Sequence, residues 1–143
     1  MRRVLALFCL LATPAGAWEF RADPVCTLSH EMTAGSVTVT YDPRLPVPYA
    51  ISVTRAEPWP EGAVFGIAFG GVRDLTISTT RHVRGDGGRT LTVTDRGFGN
   101  VLDGLEFSAR AVAFVGDATL SVPLAGAAPE VAAFRACIVG GAV

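Results

Sequence analysis

Lysine is absent from the chain. Without an ε-amine, Schiff-base chemistry and a lysine-activated serine are both excluded. Histidine is scarce as well, with only His30 and His82 in 143 residues. Neither stands in an H-E-x-x-H pattern, beside a G-x-S-x-G elbow, or near paired cysteines at metal spacing. Positive charge is in short supply: beyond Arg2 and Arg3, ten arginines face thirteen Asp and Glu scattered along the chain. That balance argues against nucleic acid or an anionic membrane as partner. Long apolar runs are missing too. The longest, at the N-terminus, falls well below the roughly 20 residues a spanning helix needs, which predicts no transmembrane anchor.

That N-terminal run is informative in another way. Arg2 and Arg3 precede the apolar stretch Val4 to Leu11, and Ala15-Gly16-Ala17 stands just before Trp18. A charged n-region, a short apolar core and an A-x-A-like site are the pattern of a cleavable secretory leader. The expected organisation is a signal peptide over residues 1–17 and a single exported domain over 18–143, in the periplasm or secreted. Cys9 sits inside the apolar run rather than at the cleavage point, so lipid anchoring is not expected.

Cleavage leaves only Cys26 and Cys137. Two cysteines in an oxidising compartment most simply pair. The bridge would tie the first strands to the last element and close a loop of more than a hundred residues, which the chain-entropy model values at about 4–5 kcal/mol as an upper figure. A redox pair is the competing reading, but catalytic dithiols usually sit in C-x-x-C spacing, and none is present.

The apolar positions keep a period of two. Val37, Val39 and Tyr41 alternate with Ser36, Thr38 and Thr40, and the same beat recurs at Ile51/Val53, Leu75/Ile77, Leu91/Val93 and Leu120/Val122/Leu124. Each predicts a strand with one wet face. Gly85-Asp86-Gly87-Gly88 and Gly116-Asp117 predict hairpin turns. The proline-rich stretches Asp42 to Pro48 and Pro58 to Gly62 predict loops at the ends of the fold. Two segments depart from the beat. Asn100 is placed to cap a short helix with Asp103 at its N3 position, and Pro129 predicts the first turn of a closing helix whose stripe is Val131, Phe134, Cys137 and Ile138. The fold class that follows is mainly β: an antiparallel β-sandwich, or a barrel-like variant, with one or two short helices, the last at the C-terminus.

The C-terminal third also carries a resemblance. Val101-Leu102-Asp103-Gly104-Leu105, the hairpin around Gly116-Asp117, Pro123-Leu124-Ala125-Gly126, and Ala132-Ala133-Phe134 follow one another in an order that resembles bacterial exported proteins of the invasion-associated locus B type. The resemblance implies a periplasmic β-sandwich. It includes no catalytic motif.

Residues that could make function are few. His30 and His82 would support a zinc site or a small hydrolase only if folding brought them to a carboxylate or to Ser29, Ser52, Ser78 or Ser108. Their bland alternative is a pair of separate strand histidines. Arg81, His82, Arg84, Arg89 and Arg96 gather on one hairpin, where arginines could grip a carboxylate or phosphate in pairs or simply pair with Asp86, Asp95 and Asp74. Arg84-Gly85-Asp86 spells an integrin-type tripeptide, but glycine and aspartate are also what a hairpin tip requires. Trp59, between Pro58 and Pro60, either presents a rigid aromatic contact or folds back to close one end of the core. The candidate partner-binding set is therefore Trp59, Arg81, His82, Arg84 and Arg89. No catalytic residue, metal ligand or cofactor is assigned. The expected role is a non-enzymatic module that binds another envelope protein or supports the envelope. A small hydrolase or metal-dependent enzyme built on His30 or His82, and an inhibitor of an envelope hydrolase, stand as alternatives.

Overall fold

A computed structural model describes residues 17–72 and 74–140. Nearly all of the expected leader, residues 1–16, lies outside the described residues. Ten strands and two helices follow: β1 (Glu19–Arg21), β2 (Cys26–Met32), β3 (Gly35–Tyr41), β4 (Tyr49–Arg55), β5 (Phe65–Gly70), β6 (Leu75–Thr79), β7 (Val83–Gly85), β8 (Thr90–Asp95), α1 (Gly99–Phe107), β9 (Arg110–Val115), β10 (Ala118–Pro123) and α2 (Ala127–Gly140). The strands form two antiparallel sheets, one of six in the order β1-β2-β3-β4-β8-β7 and one of four in the order β10-β9-β5-β6. The sheets do not close on one another, so the architecture is the sandwich and not the barrel-like variant. No helix among the described residues is long and apolar enough to cross a membrane.

The period-two beat becomes a stack of rungs. Leu28, Val39, Ile51 and Val93 pair across four strands of the six-stranded sheet, as do His30, Val37, Val53 and Leu91. Leu28, Val39, Val53 and Leu91 are fully covered, and burying a side chain of this size stabilises by about 1.5–3 kcal/mol. Shifting one strand by a single residue would turn its whole apolar set to water, so burial fixes the register. The outer face is a sheet of hydroxyls. Ser29, Thr38, Ser52 and Thr92 share a rung there, with Ser52 and Thr92 bonded at 2.9 Å and Thr54 and Thr90 at 2.8 Å.

The expected turns are present: a two-residue turn at Gly116-Asp117 joins β9 to β10, with Gly116 at φ 56°, and a 3-10 turn over Asp86–Gly88 joins β7 to β8. The loop from Asp42 to Pro48 joins adjacent strands, closed by the Asp42 amide on the Pro48 carbonyl at 2.9 Å. Pro58 to Gly62 carries the chain from one sheet to the other.

Helix α2 covers one end of the six-stranded sheet. Val131 and Phe134 are buried, while Cys137 and Ile138 pack at the margin of the core. Cys137 is bonded to Cys26, with Cα atoms 6.0 Å apart. The Glu130 carboxylate accepts the Phe20 amide of β1 at 3.0 Å, and the Trp18 indole donates to the Pro123 carbonyl at 2.9 Å, so the N-terminal residues are held from both layers. Arg135 donates to Asp103 at 2.6 Å and lies 3.4 Å from Glu106, which joins α2 to α1. Two local expectations change. Asn100 does not cap α1; the helix opens at buried Phe98, whose carbonyl takes the Leu102 amide at 2.8 Å. Pro129 falls inside the first turn rather than at its first residue, because α2 already starts at Ala127, whose amide bonds to the Leu124 carbonyl.

Candidate functional site

One flank of the sandwich is left open by unequal strand lengths. β8 pairs with β4 from Thr90 to Asp95, but β7 has only three residues and covers only Thr90 to Thr92. Among the described residues, no strand lies beside Val93, Thr94 and Asp95 on that side. In the other layer β6 is the last strand of its sheet. Thr80, Arg81 and His82 cross from β6 to β7 and bridge the two layers at one end. The phenyl ring of Phe98 and the start of α1 close the other end.

Between these boundaries lies a cleft of about 480 Å³. Its walls are Phe65 and Ile67 of β5, Ile77 of β6, Val93 of β8, and Phe98 and Val101 at the head of α1. Ser78, Thr79, Arg81, Asp95 and Asn100 form the rim. Ile77 and Val93 are only partly buried, although both point inward on the pleat. An apolar hollow with a few polar groups at its mouth is the usual form of a ligand site. A second hollow, of about 520 Å³, borders the disulfide. Its one cation, Arg44, is already held by both oxygens of Asp42 at 2.9 Å, which keeps that carboxyl below the ordinary aspartate range. The cleft is therefore the better candidate.

The sequence candidates fall unevenly around it. Trp59 is 1% exposed, so its ring offers no contact to a partner; the packing alternative is the one realised. Its indole meets Phe65 edge-on at 6.0 Å, donates to the Val53 carbonyl at 3.3 Å, and lies under the Arg55 guanidinium at 4.8 Å. Trp59 thus supports the cleft wall from behind. His82 packs edge-on against Phe65 at 6.0 Å, with a covered Nδ1 that has no hydrogen-bond partner. Arg84 is turned inward, donating to the Trp59 carbonyl at 2.8 Å, and Arg89 pairs with Asp86 at 2.9 Å. The Arg84-Gly85-Asp86 tripeptide is therefore tied up within the fold, Arg84 to the Trp59 loop and Asp86 to Arg89. Of the basic hairpin residues, Arg81 alone lines the cleft, and it has no carboxylate at ion-pair distance among the described residues.

His30 is elsewhere. It is buried on β2 and stacked on Trp18, rings 4.9 Å apart and 10° from parallel, with an unpartnered Nδ1. Three strands separate β2 from β7, which at strand spacing places His30 and His82 roughly 20 Å apart. Neither imidazole is bonded to a serine or carboxylate, and no group of three or more His, Cys, Asp or Glu able to hold a metal occurs among the described residues. At the far wall Tyr49 lies 5.4 Å from Phe98 and 4.9 Å from Tyr41. Burial, and secondarily the neighbouring Tyr41, raise its phenol above the ordinary tyrosine value.

Sequence reasoning did not single out Phe65, Ile77, Val93, Asp95 and Phe98 as site residues. Each reads as an ordinary member of a strand or helix segment, and only the shortness of β7 leaves a cleft that they line together. Fold and cleft define a two-layer antiparallel sandwich with an open lateral flank. Comparison with protein-family models, with curated proteins and with solved structures found no match.

Proposed function

We propose that this chain is an exported, non-catalytic binding module that takes an apolar group of a partner between its sheets. The observation that carries the reading is the cleft itself, with walls of Phe65, Ile67, Ile77 and Val93 beneath a rim holding Arg81 and Asp95. Rigid strands hold these walls, and removing apolar surface from water supplies the driving force. Export is supported by the leader pattern before Trp18 and by the Cys26–Cys137 bridge, which an oxidising compartment preserves. The segments resembling the invasion-associated locus B type coincide with α1, the β9–β10 hairpin and α2, and are consistent with an envelope location. The enzyme alternative receives less support, since His30 and His82 stand far apart without a serine or carboxylate bonded to either.

A neutral fluorescent probe such as N-phenylnaphthylamine tests the reading. The folded protein is expected to bind it and brighten its emission, and Ile77→Trp, which fills the cleft from an edge strand, is expected to weaken binding about tenfold, or about 1.4 kcal/mol. A wild-type protein that leaves the probe dark, or an Ile77→Trp variant that binds it equally, would remove the cleft as the functional site.

A further inference from the structure

The open part of β8 offers more than apolar walls. Beyond Thr92 no strand or loop bond reaches its outer side among the described residues; the Arg89 carbonyl takes the Arg55 amide of β4, so along the strand Val93 and Asp95 turn their backbone groups to β4 and Thr94 turns its N–H and C=O outward. Unpaired edge groups are a template for another strand. The vacancy lies in line with β7, at the place β7 would occupy if the chain did not turn off through Arg81 and His82 to the other layer. It opens directly over the cleft, with Ile77 and Phe65 below it. Arg81, at the lip, has among the described residues no carboxylate at ion-pair distance, whereas Arg44, Arg89 and Arg135 each do.

We propose that an extended segment of a partner protein fills this vacant strand position. Its main chain runs beside Val93–Asp95 and exchanges hydrogen bonds with Thr94, one apolar side chain enters the cleft between Phe65 and Ile77, and an acidic side chain meets Arg81. Three features select a peptide over a purely apolar ligand. The outward N–H and C=O of Thr94 are matched in geometry by another main chain, which an apolar ligand does not supply. Side chains on an extended segment alternate, so one turns into the cleft while its neighbours stay at the surface. A free guanidinium beside the ladder favours a carboxylate held by paired hydrogen bonds. Main-chain pairing with one side-chain pocket is the established physics of strand addition. The proposal rests on the cleft being the functional site.

Random peptides displayed on phage, selected on the folded and disulfide-bonded protein, provide the test. Enriched peptides are expected to share an apolar residue with an acidic residue nearby. A synthetic copy of the strongest binder is expected to protect the Thr94 amide from hydrogen exchange, to lose binding when its own amides are N-methylated at alternate positions, and to bind Arg81→Gln about tenfold more weakly. Arg81 is exposed, so that variant leaves the fold intact. Absence of enrichment, a binder indifferent to Arg81→Gln, or protection confined to another strand would overturn the proposal. So would a dimer in light scattering that Ile77→Trp converts to monomer, because a second copy would then be the occupant. If the naphthylamine probe binds while no peptide is enriched, the cleft stands and the strand addition falls; if neither binds, both fall.

Discussion

Trp59 carries several contacts at once. Its indole closes the bottom of the sandwich, its N–H reaches the Val53 carbonyl, and its own carbonyl anchors Arg84. Trp59→Ala is expected to cost about 3–5 kcal/mol, by cavity formation, in urea unfolding. Trp59→Phe keeps most of the area and loses the hydrogen bond, for about 1 kcal/mol. The ratio of the two separates packing from polar contribution. Gly35 is the opposite kind of residue, important for what it lacks: a Cβ there would collide with the backbone carbonyl of Thr54 on the neighbouring strand. Gly35→Ala must push β3 and β4 apart, and a loss of about 1–3 kcal/mol is expected, read as a lower melting temperature. Tyr49 links a residue to pH. Its folded pKa is raised, so the neutral phenol is favoured in the native state. The associated stability is present below the ordinary value of about 10 and disappears as pH rises through the higher folded value. Denaturant midpoints are therefore expected to fall in alkali, and Tyr49→Phe is expected to lessen the fall.

Among the elements, α2 depends most on cross-linking. Only Val131 and Phe134 of its stripe are well buried alongside Ala127, a modest area for a helix of fourteen residues. The bridge to Cys26 closes a sequence separation of 111 residues and removes much of the unfolded chain's freedom. Cys137→Ser paired with Cys26→Ser is expected to lower unfolding free energy by about 2–5 kcal/mol, with hydrogen exchange in α2 rising before that in β3 and β4. The edges tell a similar story of unequal protection. β1 and β7 have three residues each and carry charges, and β10 ends at Pro123. β6, Leu75-Thr76-Ile77-Ser78-Thr79, has neither proline nor charge. Short, charged or proline-bearing edges resist unwanted pairing, so β6 and the open end of β8 are the flank where another chain meets least resistance.

For the molecule as a whole, the layers divide the work. The six-stranded sheet supplies the rigid wall and a hydroxyl-rich outer face, α2 and the disulfide close one flank, and the opposite flank stays open between β6 and β8. Ligand in that cleft binds the native state alone, so a saturating peptide or probe at about a hundred times its Kd is expected to raise stability by about 2.7 kcal/mol. A thermal shift that grows with ligand concentration in the wild type and vanishes in Ile77→Trp would check it. Because Phe65 touches both the cleft and Trp59, tryptophan fluorescence should change in the same titration.

The sequence by itself determined the mainly β class, the alternation along β3, β4, β6, β8 and β10, both hairpin turns, the closing helix and the Cys26–Cys137 pair. These rest on local chemistry or on counting: pleat period, turn residues, and the two cysteines that lie beyond the N-terminal leader pattern. It did not determine where the flank opens. Phe65, Ile77, Val93 and Phe98 look like core residues in any window of sequence, and Arg81 looks no different from Arg84 and Arg89. Only tertiary structure decided that β7 stops after three residues, that Arg84 turns to the Trp59 carbonyl and Arg89 to Asp86, and that Arg81 stands at the mouth without an ion-pair partner among the described residues. The reason is physical. A cleft and a free charge are properties of what stands beside a residue in space, and strand pairing sets those neighbours across long separations that period and propensity do not encode.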